Sequence, residues 1–247
     1  MTIYQFFIRQ SQIDPDRRVK LDAPDVRHIR HVLRLEKGSK IRLVDEKQNV
    51  HLALIEKVNH GAVVARVLET VERSQRQTRL TVVHGIPKPP KTDFIVQKLT
   101  EIGVDHVVFT PADFTSYPNA GQKIRSRLDR LRKIATAAAK QSGRTDIPEI
   151  ATCANFTEAL EASAPEALLL VAHEKAHCKG IHDLLTNAKG KRAITLFIGP
   201  EGGLSTEEIQ LLEENGATCF SLGRNILRTE TASLIAAAIV LHELGEI

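Results

Sequence analysis

The feature that most restricts how this chain can fold is a regular alternation of apolar strand-like segments and amphipathic helical segments from Leu80 onward. Several strand-like segments are runs of consecutive apolar residues, which is typical of strands buried on both faces of a sheet. The predicted strands are 80–84, 107–110, 167–172, 193–198 and 219–222, and the predicted helices are 92–102, 122–141, 205–215 and 231–244. Because parallel strands need crossover connections, this alternation predicts an α/β fold with a parallel sheet covered by helices.

The first part of the chain follows a different pattern, with closely spaced strands and a single helix. Strands rich in β-branched residues are predicted over 2–8, 40–44, 50–58 and 62–68. The helix is predicted over 23–35, because Pro24 suits a first helical turn and Gly38 follows a helix end. Short strands joined by tight turns predict a small β-barrel. A polar stretch over 72–79 resembles a linker, so we predict two domains, residues 1–72 and residues 73–247.

Composition narrows the classes of protein that remain. The net charge of +4 is a mild basic excess, which by itself favours a nucleic-acid partner only weakly. The three cysteines are far apart and form no C-x-x-C pair, so we expect reduced thiols and neither a disulfide framework nor a metal site. No segment reaches the roughly 18 apolar residues that span a bilayer. We therefore expect a cytoplasmic protein with no membrane partner.

Residues 197–205 are the most informative segment of the predicted sheet domain. They join a buried strand to a helix that begins with a capping box, Ser205 and Glu208. Gly199, Gly202 and Gly203 allow a close approach of the backbone to a ligand. In such sheets ligands bind beyond the carboxyl ends of the strands, where a helix start adds unpaired amide donors. The segment predicts a ligand-binding loop, although a flexible turn would use the same glycines.

A second segment, residues 221–232, also follows a predicted strand and leads into a helix. Its apolar side chains and free backbone amides suit a purine ring, which needs a dry slot and contacts along its edge. The alternative is that Glu230 merely stabilises the helix N-terminus, but that leaves Arg224 and Arg228 unexplained. No G-x-G-x-x-G motif follows the first strand of this region and no P-loop motif occurs, so an ordinary dinucleotide fold is disfavoured.

Basic residues concentrate in two places. The first group is Arg27, Arg30, His31, Arg34, Lys37, Lys40 and Arg42. The second group is Lys123, Arg125, Arg127, Arg130, Arg132, Lys133, Lys140 and Arg144. Each run is compatible with an ordinary solvated face, but two such runs together favour contact with RNA phosphates. Residues four apart share a helix face, so we expect Arg30 and Arg34 to reach the same stretch of backbone.

Five segments, in order along the chain, carry a family resemblance. They are RHVLR at 30–34, QKLTEIGV at 97–104, QSGR at 141–144, IGPEGGLS at 198–205 and LGRNILRTETA at 222–232. On these segments the chain resembles the bacterial ribosomal RNA small-subunit uridine-N3 methyltransferases, which belong to the SPOUT class of knotted methyltransferases. The resemblance covers the whole chain. One departure is Lys140, where the family more often has glutamate.

This resemblance implies a fold and an activity that the residue pattern alone does not give. The N-terminal barrel would be a PUA-like RNA-binding domain, and the C-terminal parallel sheet would contain a trefoil knot, whereas periodicity alone predicts an unknotted sheet. The cofactor S-adenosylmethionine would bind in the knot of a homodimer. The reaction would methylate N3 of a uridine in 16S ribosomal RNA, and the partner would be that RNA or the small ribosomal subunit.

The chemistry of N3 methylation assigns roles to individual residues. Because neutral N3 is a poor nucleophile, its proton must leave, which calls for a base or for cations that stabilise the anion. We favour Arg228 and Glu230 as the catalytic pair, with Glu201 as the next candidate. The predicted cofactor-binding residues are Gly199, Glu201, Gly202, Gly203, Leu222, Gly223, Ile226 and Leu227. The predicted RNA-binding residues are Arg27, Arg30, Arg34, Lys88, Lys91 and Arg144.

Two other classes of protein stay open at this point. A noncatalytic RNA-binding factor in ribosome assembly would account for the barrel and the basic groups, but not for two ligand-type loops at strand ends. A nucleotide oxidoreductase is weakened by the missing dinucleotide motif. Binding of S-adenosylmethionine to the purified protein separates the methyltransferase from both alternatives.

Overall fold

The computed structural model describes residues 3–71, 76, 78–174, 179–186 and 192–247. The chain forms two compact units. The first unit comprises Met1–Gln75 and Ala139–Asp146, and the second comprises Arg76–Ala138 and Ile147–Ile247. The domain boundary predicted between residues 72 and 73 lies outside the described residues, so it stays a prediction.

The first unit is built on a five-stranded sheet with the order β1-β3-β4-β5-β2. Its strands are β1 (Tyr4–Phe7), β2 (Arg18–Lys20), β3 (Lys40–Val44), β4 (Val50–Val58) and β5 (Val63–Val71). The β1–β3 pair is parallel, and the other pairs are antiparallel. Side chains alternate along β4 between buried and partly exposed positions, as a half-buried strand requires. Phe6, Ile41 and Ile55 are among the fully buried residues of its core.

The sequence predicts one helix in this unit, over residues 23–35, and the second half of that prediction is wrong. An α-helix, α1 (Ala23–Arg27), continues into a π-helical turn over His28–Leu33. Arg34 then adopts a left-handed conformation with φ of 51°, and its amide donates to the carbonyl of Ile29 five residues earlier. The wider turn keeps Ile29 fully buried. Because Arg34 lies outside the helix, Arg30 and Arg34 do not share one face of an α-helix.

The second unit is built on a seven-stranded sheet with the order β10-β12-β9-β11-β6-β7-β8. Every neighbouring pair in it is parallel, which confirms the predicted fold class. Its strands are β6 (Arg79–Gly85), β7 (His106–Thr110), β8 (Glu149–Thr152), β9 (Leu168–Ala172), β10 (Lys179–Gly180), β11 (Ala193–Ile198) and β12 (Thr218–Ser221). The central strand β11 is almost entirely buried, as its run of apolar residues predicts.

Helices cover this sheet. They are α2 (Lys91–Ile102), α3 (Ala120–Ser142), α4 (Phe156–Glu161), α5 (Ile181–Thr186), α6 (Thr206–Glu214) and α7 (Thr229–Glu243). The long helices lie close to their predicted positions, whereas β8 and α4 are too short to stand out in the sequence. The trefoil knot implied by the resemblance stays a prediction, because strand order and pairing alone do not establish how the chain threads.

One expectation drawn from composition needs correction. Cys219 is disulfide-bonded, whereas we expected reduced thiols throughout. Cys153 is a free thiol, and burial raises its pKa.

Within the described ranges, no helix combines the length and apolar character required to cross a bilayer. Over the same residues, no three His, Cys, Asp or Glu side chains come together as metal ligands could.

Candidate functional site

A cavity of the second unit lies where parallel strands end side by side. Strand β11 pairs with β6 on one side and with β9 on the other, and β12 lies beyond β9. Since these strands are parallel, the loops after them meet at one edge of the sheet, as in other α/β folds that bind ligands. A cavity of about 390 Å³ opens there. All eight residues predicted to bind the cofactor line it, together with Arg228, Lys91, His173 and Glu174.

The glycine loop after β11 is folded tightly on itself and on its neighbours. A Cβ atom on Gly199 would lie 2.7 Å from the backbone carbon of Gly203. A Cβ atom on Gly202 would lie 2.6 Å from the Cβ of Phe114. Gly203 has a φ of 77°, which side-chain-bearing residues rarely adopt. The glycines are therefore required by close packing and backbone conformation, rather than by flexibility alone.

The helix start after this loop has the predicted capping box. The Ser205 side chain accepts a hydrogen bond from the amide of Glu208, and the Glu208 carboxylate accepts one from the amide of Ser205 at 2.9 Å. Asp113, from the loop after β7, accepts a hydrogen bond from the Ser205 hydroxyl at 2.6 Å. The capping box thus also anchors a neighbouring loop beside the cavity.

The cavity loop that follows β12 is hydrogen-bonded to the glycine loop after β11 through Thr229, the first residue of α7. Its hydroxyl donates to the carbonyl of Gly199 and lies 3.2 Å from Nε2 of His84, at the end of β6. His84 is completely buried, and burial lowers its pKa, which favours the neutral ring. These contacts join the ends of β6 and β11 to the start of α7, so both cavity loops have a fixed separation.

Lys91, the first residue of α2, connects the two acidic residues of the site. Its Nζ lies 3.1 Å from Oε1 of Glu201 and 2.8 Å from Oε2 of Glu230. The backbone amide of Lys88 also donates to the Glu201 carboxylate, at 3.0 Å. All three charged side chains are mostly shielded from solvent, with exposed fractions of 26%, 25% and 15% for Lys91, Glu201 and Glu230.

These contacts determine the charge states in the cluster. Burial acts to raise the pKa of both Glu201 and Glu230, but their hydrogen bonds, including those from Lys91, outweigh it and lower both pKa values. Burial likewise acts against the charge of Lys91, yet the two carboxylates raise its pKa. Near neutral pH the cluster therefore holds one ammonium and two carboxylates, with a net charge of −1.

The sequence assigned Lys91 to RNA binding, but its ammonium group is held between two carboxylates in the cavity wall. The missed signal was its position: Lys91 follows strand β6, whose carboxyl end lies at the same sheet edge as the glycine loop.

Arg144 also differs from expectation. It makes a two-point ion pair with Asp146, and its side chain is only 8% exposed, so it is poorly placed to contact a phosphate.

The remaining residues predicted to bind RNA lie nearer the surface. Arg27, Arg34 and Lys88 are exposed, whereas Arg30 donates to the carbonyl of His60 at 2.9 Å. Lys140 is the residue at which the chain departs from the family pattern. It forms an ion pair with Asp25 at 2.6 Å. Its ammonium also lies 5.4 Å from the ring centre of Phe6. The lysine at 140 therefore has a local partner within the first unit.

Comparison with known proteins places the chain in a class. Residues 74–241 match the RNA methyltransferase domain family, and residues 21–68 match the RNA methyltransferase PUA domain. The cavity thus belongs to an RNA methyltransferase domain. The ribosomal RNA small subunit methyltransferase E of Synechocystis is 31% identical over 89% of this chain and 71% of the relative. That of Bacillus subtilis is 27% identical over 98% of this chain and 97% of the relative.

The solved structures agree with the sequence relatives. A ribosomal RNA small subunit methyltransferase E from Neisseria gonorrhoeae, bound to S-adenosyl methionine, superposes with a TM-score of 0.86 at 28% identity and covers 98% of both chains. The chain belongs to the ribosomal RNA small subunit methyltransferase E family.

Proposed function

We propose that this protein transfers the methyl group of S-adenosylmethionine to N3 of a uridine in 16S ribosomal RNA. The observation that carries the proposal is the cavity in the RNA methyltransferase domain, where two loops after parallel strands contribute glycine backbone and apolar side chains, and Lys91 of α2 forms a charged cluster with Glu201 and Glu230. A relative with the same overall fold is bound to S-adenosyl methionine. Glycine amides and apolar side chains suit the adenine and ribose of that cofactor.

The proposed cofactor site is tested by Gly203→Val. A β-branched residue at a φ of 77° is strained, and its side chain would enter the loop where we expect the backbone to meet the ligand. We expect calorimetry to show loss of S-adenosylmethionine binding. Gly216→Val is a matched control, because Gly216 has a φ of 88° but lies after α6, outside the cavity wall. If Gly203→Val folds and binds the cofactor as the wild type does, the loop assignment is wrong.

The proposed mechanism assigns the proton transfer to Glu230 and charge stabilisation to Arg228. The cofactor supplies a methyl group that is already activated by the sulfonium, so no metal is required for its transfer. Glu230 does not line the cavity itself, but it is held as an anion by Lys91, which does, and we propose that its carboxylate accepts the N3 proton. The guanidinium of Arg228 is exposed in the cavity wall, where it can stabilise negative charge on the uracil oxygens.

We propose that Arg27 and Arg34 contribute phosphate contacts, since both are exposed on the PUA-matching part of the chain. The double variant Arg27→Ala/Arg34→Ala should reduce the slope of log affinity against log salt by about 1.4–1.8, or about 0.7–0.9 per contact. Salt titrations of RNA binding measure this slope. Lys57→Ala, on strand β4 of the same unit, controls for loss of a single positive charge elsewhere. An unchanged slope and affinity would remove these arginines from the RNA-binding surface.

We also propose that the protein is a homodimer. Helix α7 carries an apolar face on which Ile235 is 42% exposed and Ala238 and Ile239 are partly exposed. Burying such a face against a second copy would remove apolar surface from water. Light scattering should find a dimer for the wild type and a monomer for Ile235→Asp, whereas a monomeric wild type at micromolar concentration would contradict the proposal.

A further inference from the structure

Phe114, in the loop that follows β7, is the most exposed large aromatic side chain among the described residues. Its side chain is 51% exposed, although the chain has only eight phenylalanines and two tyrosines. Four other phenylalanines of the second unit, Phe109, Phe156, Phe197 and Phe220, are buried in its core. Phe94, on α2, is also exposed, at 43%, so Phe114 and Phe94 are the two phenylalanines of the described second unit that lie outside its core.

The loop that carries Phe114 is held in place by several hydrogen bonds. The Asp113 carboxylate accepts from the Ser205 hydroxyl at 2.6 Å, and the Asp113 amide donates to the Glu208 carboxylate at 2.9 Å. Within the loop, the Thr115 hydroxyl accepts from the amide of Ala112 at 2.9 Å, and the Thr115 amide donates back to the carbonyl of Ala112. The exposed ring is thus presented by a fixed backbone rather than by a loose one.

Phe114 is directly next to the cavity. Its side chain packs on Gly202, where any Cβ atom would lie within 2.6 Å of the Cβ of Phe114. Gly202 lines the cavity, whereas Phe114 does not. Phe114 therefore borders the rim, at a position that suits a group beside the reacting nucleotide rather than the nucleotide inside the cavity.

The surroundings of Phe114 suit a nucleic-acid strand. Tyr117, three residues further along the same loop, is partly buried, and Lys123 Nζ lies 5.4 Å from the centre of its ring. Lys88, just after β6, and Arg125, in the first turns of α3, are further exposed cations of the same unit. Proteins that bind single-stranded RNA combine such cations with aromatic rings on which unpaired bases stack.

We propose that the ring of Phe114 is a stacking platform for a base that flanks the methylated nucleotide in the substrate RNA. The proposal rests on the proposed function, because it takes RNA as the substrate. A ring at the rim would hold the neighbouring base and so set the position of the target base in the cavity. Stacking tolerates any base, so Phe114 contributes affinity and position rather than sequence discrimination.

The first test separates RNA binding from the chemical step. Phe114→Ala should raise KM for RNA by about 5-fold to 150-fold, the range measured for loss of one base–aromatic stack, with S-adenosylmethionine affinity unchanged. Phe114→Trp should keep a KM for RNA close to that of the wild type, because tryptophan also offers an aromatic ring for stacking. Phe94→Ala is the matched control, because Phe94 on α2 is also exposed, at 43%, but is not among the residues that line the cavity.

The second test uses the absence of tryptophan from the chain. Phe114→Trp introduces a single fluorescent reporter, whose emission should be quenched when substrate RNA is added, because a stacked base quenches indole. Phe94→Trp should show no comparable change. This readout needs RNA binding but no methyl transfer, so it stays informative even if the proposed reaction is wrong.

Three results would overturn the proposal. The first is an unchanged KM for RNA in Phe114→Ala, and the second is an unquenched Phe114→Trp at saturating RNA. The third is conversion of a dimer into a monomer by Phe114→Ala, measured by light scattering, since this would identify Phe114 as a contact between two copies of the chain. Failure of the wild type to methylate RNA, with quenching intact, would instead contradict the proposed function alone.

Discussion

Glu230→Gln should lower kcat for RNA methylation by about 100-fold or more, while the affinity for S-adenosylmethionine changes little. Glutamine keeps the shape of the side chain but cannot accept the N3 proton. The carboxylate of Glu230 is mostly buried and paired with Lys91, so its ionised state is already established before substrate arrives. An interaction that matters only in the transition state affects kcat and leaves ground-state binding nearly intact.

Arg228→Ala should have a similar effect, because Arg228 is proposed to stabilise the uracil anion rather than to bind the cofactor. Single-turnover rates with saturating RNA and calorimetry with the cofactor measure the two quantities separately. Glu243→Gln, near the other end of α7, is a control for loss of a carboxylate from the same helix. Near-normal rates in both Glu230→Gln and Arg228→Ala would place the chemistry elsewhere, and Glu201 would become the next candidate.

Lys91→Met should produce the second large effect, a loss of kcat together with a shift of its pH dependence. Lys91 is the ammonium group shared by Glu201 and Glu230, and its removal leaves two neighbouring carboxylates without their cation. Because Lys91 helps to hold the pKa of Glu230 below its ordinary value, burial and the nearby Glu201 should raise that pKa in the variant. A higher pKa means that Glu230 becomes protonated, and activity falls, at a higher pH than in the wild type.

The pH profile of kcat distinguishes this positioning role from simple loss of structure. Lys91→Arg should restore part of the rate and move the acidic limb back, because a guanidinium can pair with both carboxylates. Lys98→Met is the control, since Lys98 pairs with Glu101 on the same helix, α2. If Lys91→Met lowers the rate without moving the acidic limb, Lys91 does not act through Glu230.

The fold of the second unit and the location of its cavity could be predicted because their signals are local. Strand β11 is a continuous apolar run, and the capping box of Ser205 and Glu208 marks where α6 begins. Parallel strands then bring successive loops to one edge, so two separate segments, 197–205 and 221–232, can be assigned to one cavity from their order alone. All eight residues assigned to the cofactor line that cavity.

Two features that the sequence does not predict, the partners of Lys91 and of Lys140, depend on contacts between residues far apart in the chain. Lys91 resembles an ordinary surface cation in the sequence, but it pairs with Glu201 and Glu230. Arg144 pairs with Asp146, two residues further along the chain, and it was the burial of its side chain that the sequence did not predict. The partner of Lys140 is Asp25, more than a hundred residues earlier in the chain. The π-helical turn before Arg34 was missed because residue spacing alone does not distinguish it from a continued α-helix.

The most direct test of the account is nucleoside mass spectrometry of 16S ribosomal RNA and small subunits, both lacking this modification, after incubation with the protein and methyl-labelled S-adenosylmethionine. We expect one labelled nucleoside, 3-methyluridine, with no label when Gly203→Val replaces the wild type. Label in another nucleoside or at another position of uridine would contradict the proposed specificity. Tight RNA binding without any labelled product would identify the protein as a noncatalytic RNA-binding factor and contradict the central claim.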